Sequence, residues 1–152
     1  MLGVVALGGL SLVLFGNADG AEEEGGGSAS GDRTLDLSET DAEAVTELAG
    51  LALPASTTDF LSARLDDDSQ LDVTFTIDPA DEAAFLEASD LPQPVEGERV
   101  IFHSSPLWEL NAQGPIRGTA DTASGAPQDV RRSAELVTED ALVRVRLVIT
   151  PA

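Results

Sequence analysis

Polar and apolar residues alternate most strictly from Leu71 to Asp78, where Leu71, Val73, Phe75 and Ile77 interleave with Asp72, Thr74, Thr76 and Asp78. A period of two is the pattern of a strand buried on one face. Upstream, Leu61, Ala63 and Leu65 repeat it, and a turn at Asp67, Asp68 and Ser69 joins the two runs into a hairpin. In that register Leu65 faces Leu71, Ala63 faces Val73 and Leu61 faces Phe75, while Arg64 lies opposite Asp72 and Ser62 opposite Thr74. A second hairpin closes the chain around Glu139 and Asp140, setting Leu136 against Val143, Ala134 against Val145 and Glu135 against Arg144; Leu147 and Ile149 extend its apolar face.

Helical spacing occurs twice. Asp41 to Ala49 places Val45, Leu48 and Ala49 on one stripe, with Ser38 or Thr40 as cap and Gly50 as terminator. Asp78 and Pro79 open a second helix whose stripe is Ala84, Phe85, Ala88 and Leu91, and Pro92 and Pro94 end it. Arg99 to His103 reads as a further strand, and Ser104 to Asp129 as a long loop rich in small and polar residues. The fold class expected is α+β: an antiparallel sheet of about four or five strands, including two hairpins, with one or two helices on one face.

The start of the chain has a different pattern. Met1 to Gly16 carries no charged side chain, and Asp19 to Asp32 is a Gly, Ser and acid spacer. A signal peptide has an apolar region of roughly 7–15 residues followed by small residues at the cleavage site. Leu2 to Phe15 fits, with Ala18, Asp19 and Gly20 before Ala21. A membrane span needs about 20 apolar residues, whereas sixteen reach only about 24 Å as a helix. No Lys or Arg precedes Arg33, so a start further upstream, adding basic residues and length, is expected. Cleaved signal and retained anchor both remain open. The division expected is 1–18 as signal peptide or membrane anchor in an apolar helix, 19–37 as flexible linker, and 38–152 as one extracytoplasmic domain.

Charge and composition narrow the setting. Asp and Glu number 28 against 8 basic residues, all of them Arg, for a net charge of −20. Nucleic acid and anionic lipid headgroups would be repelled by such a chain. The absence of Cys excludes disulfides, thiolate metal sites and lipidated cysteine. Arg without Lys fits either the codon usage of a high-GC genome or adaptation to salt.

No catalytic motif stands out, and no cofactor is implied. His103 is the only histidine; Ser104 and Ser105 beside it point to alternate faces of an extended chain and make a poor nucleophile–base pair. The acidic turn Asp66, Asp67 and Asp68, with Gln70 and Asp72, offers oxygens at alternate positions, as calcium loops do. It lacks the Gly at the bend and the bidentate Glu, so Asp66, Asp68 and Asp72 read first as a solvated turn. Trp108, in a polar loop, either pins that loop to the core or meets a partner. Arg144 and Arg146 share a strand face, with Arg131 and Arg132 near, and are expected to pair with carboxylates rather than bind an anion.

From Leu53 and Pro54 through TDFLSARLDDD, LDVTFTIDPADEAAFLEASDLP and VRVRLVITPA, the chain resembles small exported or membrane-anchored proteins of high-GC Gram-positive bacteria. The resemblance implies an envelope location and supplies no activity. The leading expectation is a non-catalytic extracytoplasmic binding module, secreted or held in the membrane by an uncleaved N-terminal segment, with an envelope protein as partner. The alternatives are an enzyme using His103 with a nearby carboxylate, and an accessory subunit of a membrane complex.

Overall fold

The computed structural model describes residues 34–110, 114–124 and 128–152; the apolar segment and most of the spacer lie outside them. In chain order the elements are β1 (Leu35–Ser38), α1 (Ala42–Ala49), β2 (Thr58–Leu65), β3 (Leu71–Ile77), a 3₁₀ turn (Pro79–Asp81), α2 (Glu82–Ala88), β4 (Val95–Glu96), β5 (Ile116–Ala123), β6 (Val130–Glu139) and β7 (Leu142–Pro151). The seven strands form one sheet in the order β1-β2-β3-β7-β6-β5-β4, and every pairing is antiparallel. The sheet is larger than the four or five strands expected. It also begins at Leu35, inside the span read as linker.

Both hairpins form, each in a different register from the one expected. In the first, Arg64 opposes Leu71, Ala63 opposes Asp72, Ser62 opposes Val73 and Leu61 opposes Thr74, a slip of one residue. The turn causes it: the Leu65 N–H donates to Gln70 O and the Asp68 N–H to Leu65 O, with Asp68 at φ 58°, so the loop is one residue longer. A bulge between Thr58 and Leu61 then changes the alternation, and Phe60 stacks on Phe75 with ring centres 6.0 Å apart. In the second hairpin Asp140 and Ala141, at φ 51° and 66°, form the two-residue turn favoured by strand twist. The register moves by two residues, which preserves the faces: Leu136 opposes Val145, Ala134 opposes Leu147, and Glu135 opposes Arg146 rather than Arg144.

One face of the sheet carries the apolar core. Val73, Phe75, Ile77, Ala134, Leu136, Val143, Val145 and Leu147 pack with Val45, Ala49 and Leu51 and with Phe85, Leu86 and Leu91. Asp41, rather than Ser38 or Thr40, caps α1 by accepting from the Ala44 N–H at 2.9 Å. Ser38 and Thr40 instead bond each other. Gly50, at φ 66°, ends α1 as its position predicts. Asp78 caps the turn before α2 through the Ala80 N–H. That 3₁₀ turn rotates α2, so Leu86 joins Phe85 in the core while Ala84 and Ala88 are exposed.

A buried cation joins the helix ends to the sheet. Arg132 is 1 % exposed and donates to the carbonyls of Ala49, Ser89 and Asp90 and to both oxygens of Asp121. Carbonyls at helix C-termini lack intrahelical donors and favour a cation there.

All seven residues of β3 are buried, so its alternation does not separate core from solvent. The second face is covered by the chain between β4 and β5. Arg99 to His103 forms no strand; it crosses above the sheet instead of joining its edge. The expected loop from Ser104 to Asp129 contains β5, whose small and polar residues give little apolar alternation. Gly118 in β5 makes the crossing possible, because a Cβ there would lie 2.4 Å from the Glu98 carbonyl oxygen. Gly118→Ala is therefore expected to destabilise the fold by about 1–3 kcal/mol, since backbone must move; the midpoint of chemical denaturation measures it.

Candidate functional site

The polar residues of β3, β6 and β7 meet the covering segment on this second face. Asp72 is fully buried, opposite Ala63 on one side and Val148 on the other. His103 Nε2 lies 2.9 Å from Asp72 Oδ2, and Gln70 Nε2 donates to Asp72 Oδ1 at 3.0 Å. Gln70 Nε2 and His103 Nε2 are 3.0 Å apart, two donors converging on one carboxylate. The Trp108 indole N–H donates to the His103 carbonyl at 3.1 Å, and the two rings sit 5.9 Å apart at 52°. Trp108 is 7 % exposed, so it pins the loop and presents little surface.

Glu135 is the second anchor. It is fully buried, and its Oε1 accepts from the backbone N–H groups of Val100 and Ile101 at 2.9 and 3.0 Å. Arg99 Nε approaches the same oxygen at 3.4 Å, and its Nη2 donates to the Leu110 carbonyl at 2.6 Å. One carboxylate thus stands in for the strand ladder that Arg99 to His103 does not make. Glu135 Oε2, Arg146 Nε and Thr76 Oγ1 are buried with no hydrogen-bond partner among the described residues.

The other sequence candidates separate. Arg144 bonds Glu139 at 3.2 Å, as expected of it. Arg146 is 5 % exposed and makes no ion pair with a described residue; burial lowers its guanidinium pKa, the Glu135 and Glu139 carboxylates oppose that, and Arg99 and Arg144 add to it. Arg132 lies on the opposite face, under the helices. In the acidic turn Asp68 meets Arg64 at 3.3 Å, and Asp67 accepts from Ser69. Asp72 instead belongs to the buried face, so Asp66, Asp68 and Asp72 do not converge. Among the described residues no group of three His, Cys, Asp or Glu could hold a metal ion.

Chemically, Asp72 and His103 make an oriented acid–base pair. Ser105 Oγ accepts from the Leu107 N–H, and no serine or threonine hydroxyl bonds the imidazole among the described residues. The pair works as a clasp. Its hydrogen bond to Asp72 raises the His103 pKa above the ordinary 6.5, partial burial opposes this, and the Asp72 charge adds to the rise. The folded state therefore holds the proton more tightly than the unfolded chain. Its stabilising contribution is full below pH 6.5 and is lost as pH rises through the raised folded value. Denaturation midpoints for the protein and His103→Gln, compared from about pH 5.5 to about pH 9, should converge as pH rises; a constant gap would contradict the clasp.

Gln70, Arg99 and Glu135 entered the sequence reading only as a turn residue, a strand start and a cross-strand partner of Arg144, and not as members of this site. Glu135 left one trace: it interrupts the otherwise apolar run from Ala134 to Val137. Among the described residues no helix is long and apolar enough to cross a membrane. The chain matches no family model, no curated protein and no solved structure.

Proposed function

We propose that the chain is a non-catalytic extracytoplasmic binding module of the cell envelope, secreted or tethered through its N-terminal segment. One observation carries the non-catalytic part: the sole histidine is engaged with buried Asp72 and the loop that Trp108 pins, with no hydroxyl nucleophile bonded to it among the described residues. The extracytoplasmic part rests on the uncharged run from Met1 to Gly16 and the acidic spacer after it. Fractionation of the native host with intact-mass measurement tests the reading. Either a membrane-bound species retaining Leu2 to Phe15 or a soluble exported species beginning near Ala21 supports it. A cytosolic chain overturns it, as does a substrate turnover abolished by His103→Gln in a folded variant.

A further inference from the structure

We propose that β1 is a docking edge for an extended polypeptide segment of alternating basic and apolar residues, contributed by a partner and added to the sheet as a further strand. The proposal rests on the binding-module reading and gives that module a partner chemistry.

β1 is the outermost of the described strands, so one side of its backbone pairs with β2 and the other pairs with no described strand. Exposed edges of this kind accept an extended chain through main-chain hydrogen bonds. Natural guards against such pairing include Pro, Lys and other charges on the edge strand; Leu35 to Ser38 has no Lys or Pro, and its one charge, Asp36, turns away acidic chains and attracts basic ones. The strand is firmly held at its far end, because Ser62 Oγ donates to the carbonyls of Ser38 and Thr40.

The pleat divides the chemistry of this edge between two faces. Leu37 opposes Ala63 and projects on the same face as Leu61, two residues along β2; they are 70 % and 53 % exposed. Asp36 opposes Arg64 on the other face, and Arg64 is already tied to Asp68 at 3.3 Å. A groove of about 420 Å³ runs along the edge, lined by Asp36, Leu37, Ser38, Glu39, Arg64 and Leu65 with two acids of the following turn. An added strand would meet carboxylate on one face and leucine on the other, and alternating Lys or Arg with Val, Ile or Leu satisfies both.

Charge selects against acidic occupants. A second copy would set Asp36 and Glu39 against like charges on a chain of net −20. The stretch preceding β1 is itself acidic, with Glu22, Glu23, Glu24 and Asp32. β1 has four residues, so the added strand is short and specificity depends on the alternation.

The probe is a labelled six-residue peptide alternating lysine and valine, titrated against the full chain at fixed ionic strength. Two further peptides accompany it: one with glutamate for lysine, one with a central proline. Binding should weaken at least tenfold for both, and at least fivefold for the protein variant Asp36→Asn with Glu39→Gln. Leu37→Ser should weaken it too, while Glu87→Gln with Glu96→Gln, exposed acids away from β1, should leave it unchanged. Amide exchange at residues 35–38 should slow on binding. Absence of binding, equal binding of the proline peptide, or equal loss from both acid pairs overturns the edge. If such a failure accompanies an exported, non-catalytic chain, the edge falls alone; a cytosolic or His103-dependent enzymatic chain fells the module reading as well.

Discussion

Arg132→Ala is expected to lower the stability of the folded chain by about 3–5 kcal/mol, the usual cost of removing one partner of a buried ion pair. The side chain is enclosed, and its loss would strand Asp121 together with three carbonyls at the ends of α1 and α2. Each buried polar group left without a partner adds about 1–3 kcal/mol. Arg132→Lys would keep the charge but cannot reach both Asp121 oxygens and three carbonyls at once, so it should recover only part of the loss. Urea denaturation of both variants measures the effect. A cost below about 1 kcal/mol for the alanine variant would mean that water replaces the guanidinium among these groups. Arg132 would then be incidental to the seating of the helices.

Glu135→Ala is expected to have the second-largest effect, about 3 kcal/mol or more, with a local signature that Arg132→Ala lacks. Two backbone N–H groups and the Arg99 guanidinium share the carboxylate, and Arg146 opposes it on the next strand. Removal leaves these donors on a buried face and frees the segment above it. Amide exchange at Val100 and Ile101 should therefore accelerate far more than exchange in β6 or β7. Glu135→Gln retains an acceptor oxygen and should cost about 1 kcal/mol, chiefly through the lost charge. Equal exchange rates at Val100 in the protein and in Glu135→Ala would show that Trp108 and His103 hold the segment without it.

The two residues explain why the sheet differs from its sequence pattern. Arg132 and Glu135 lie three apart on β6 and point to opposite faces, one beneath the helices and one beneath the crossing segment. Each is an ionisable side chain inside a largely apolar strand, and sequence alone reads such residues as solvent-facing. Burial became tolerable only when residues 34 to 36 positions away, for Glu135, and 11 to 83 positions away, for Arg132, supplied the partners. The same holds for Asp72, read as part of an acidic turn and found under His103.

Local chemistry determined several elements by itself. The alternation of Leu71 to Ile77 made a strand, Gly50 ended α1, Asp78 and Pro79 began the second helical segment, and the paired apolar runs made two hairpins; each depends on neighbours within a few residues. The register of those hairpins did not follow, because one extra turn residue, Asp66, in the first and a left-handed pair at Asp140 and Ala141 in the second shift every partner beyond the turn. Strands β1 and β5 and the crossing of Arg99 to His103 were decided only by tertiary structure. Their sequences carry weak periodicity, and their backbone hydrogen bonds are satisfied by distant strands or, for the crossing, by one carboxylate. The site candidates divided for the same reason: spacing brings side chains onto a common face, while only the packing of separate segments determines which of them become buried partners.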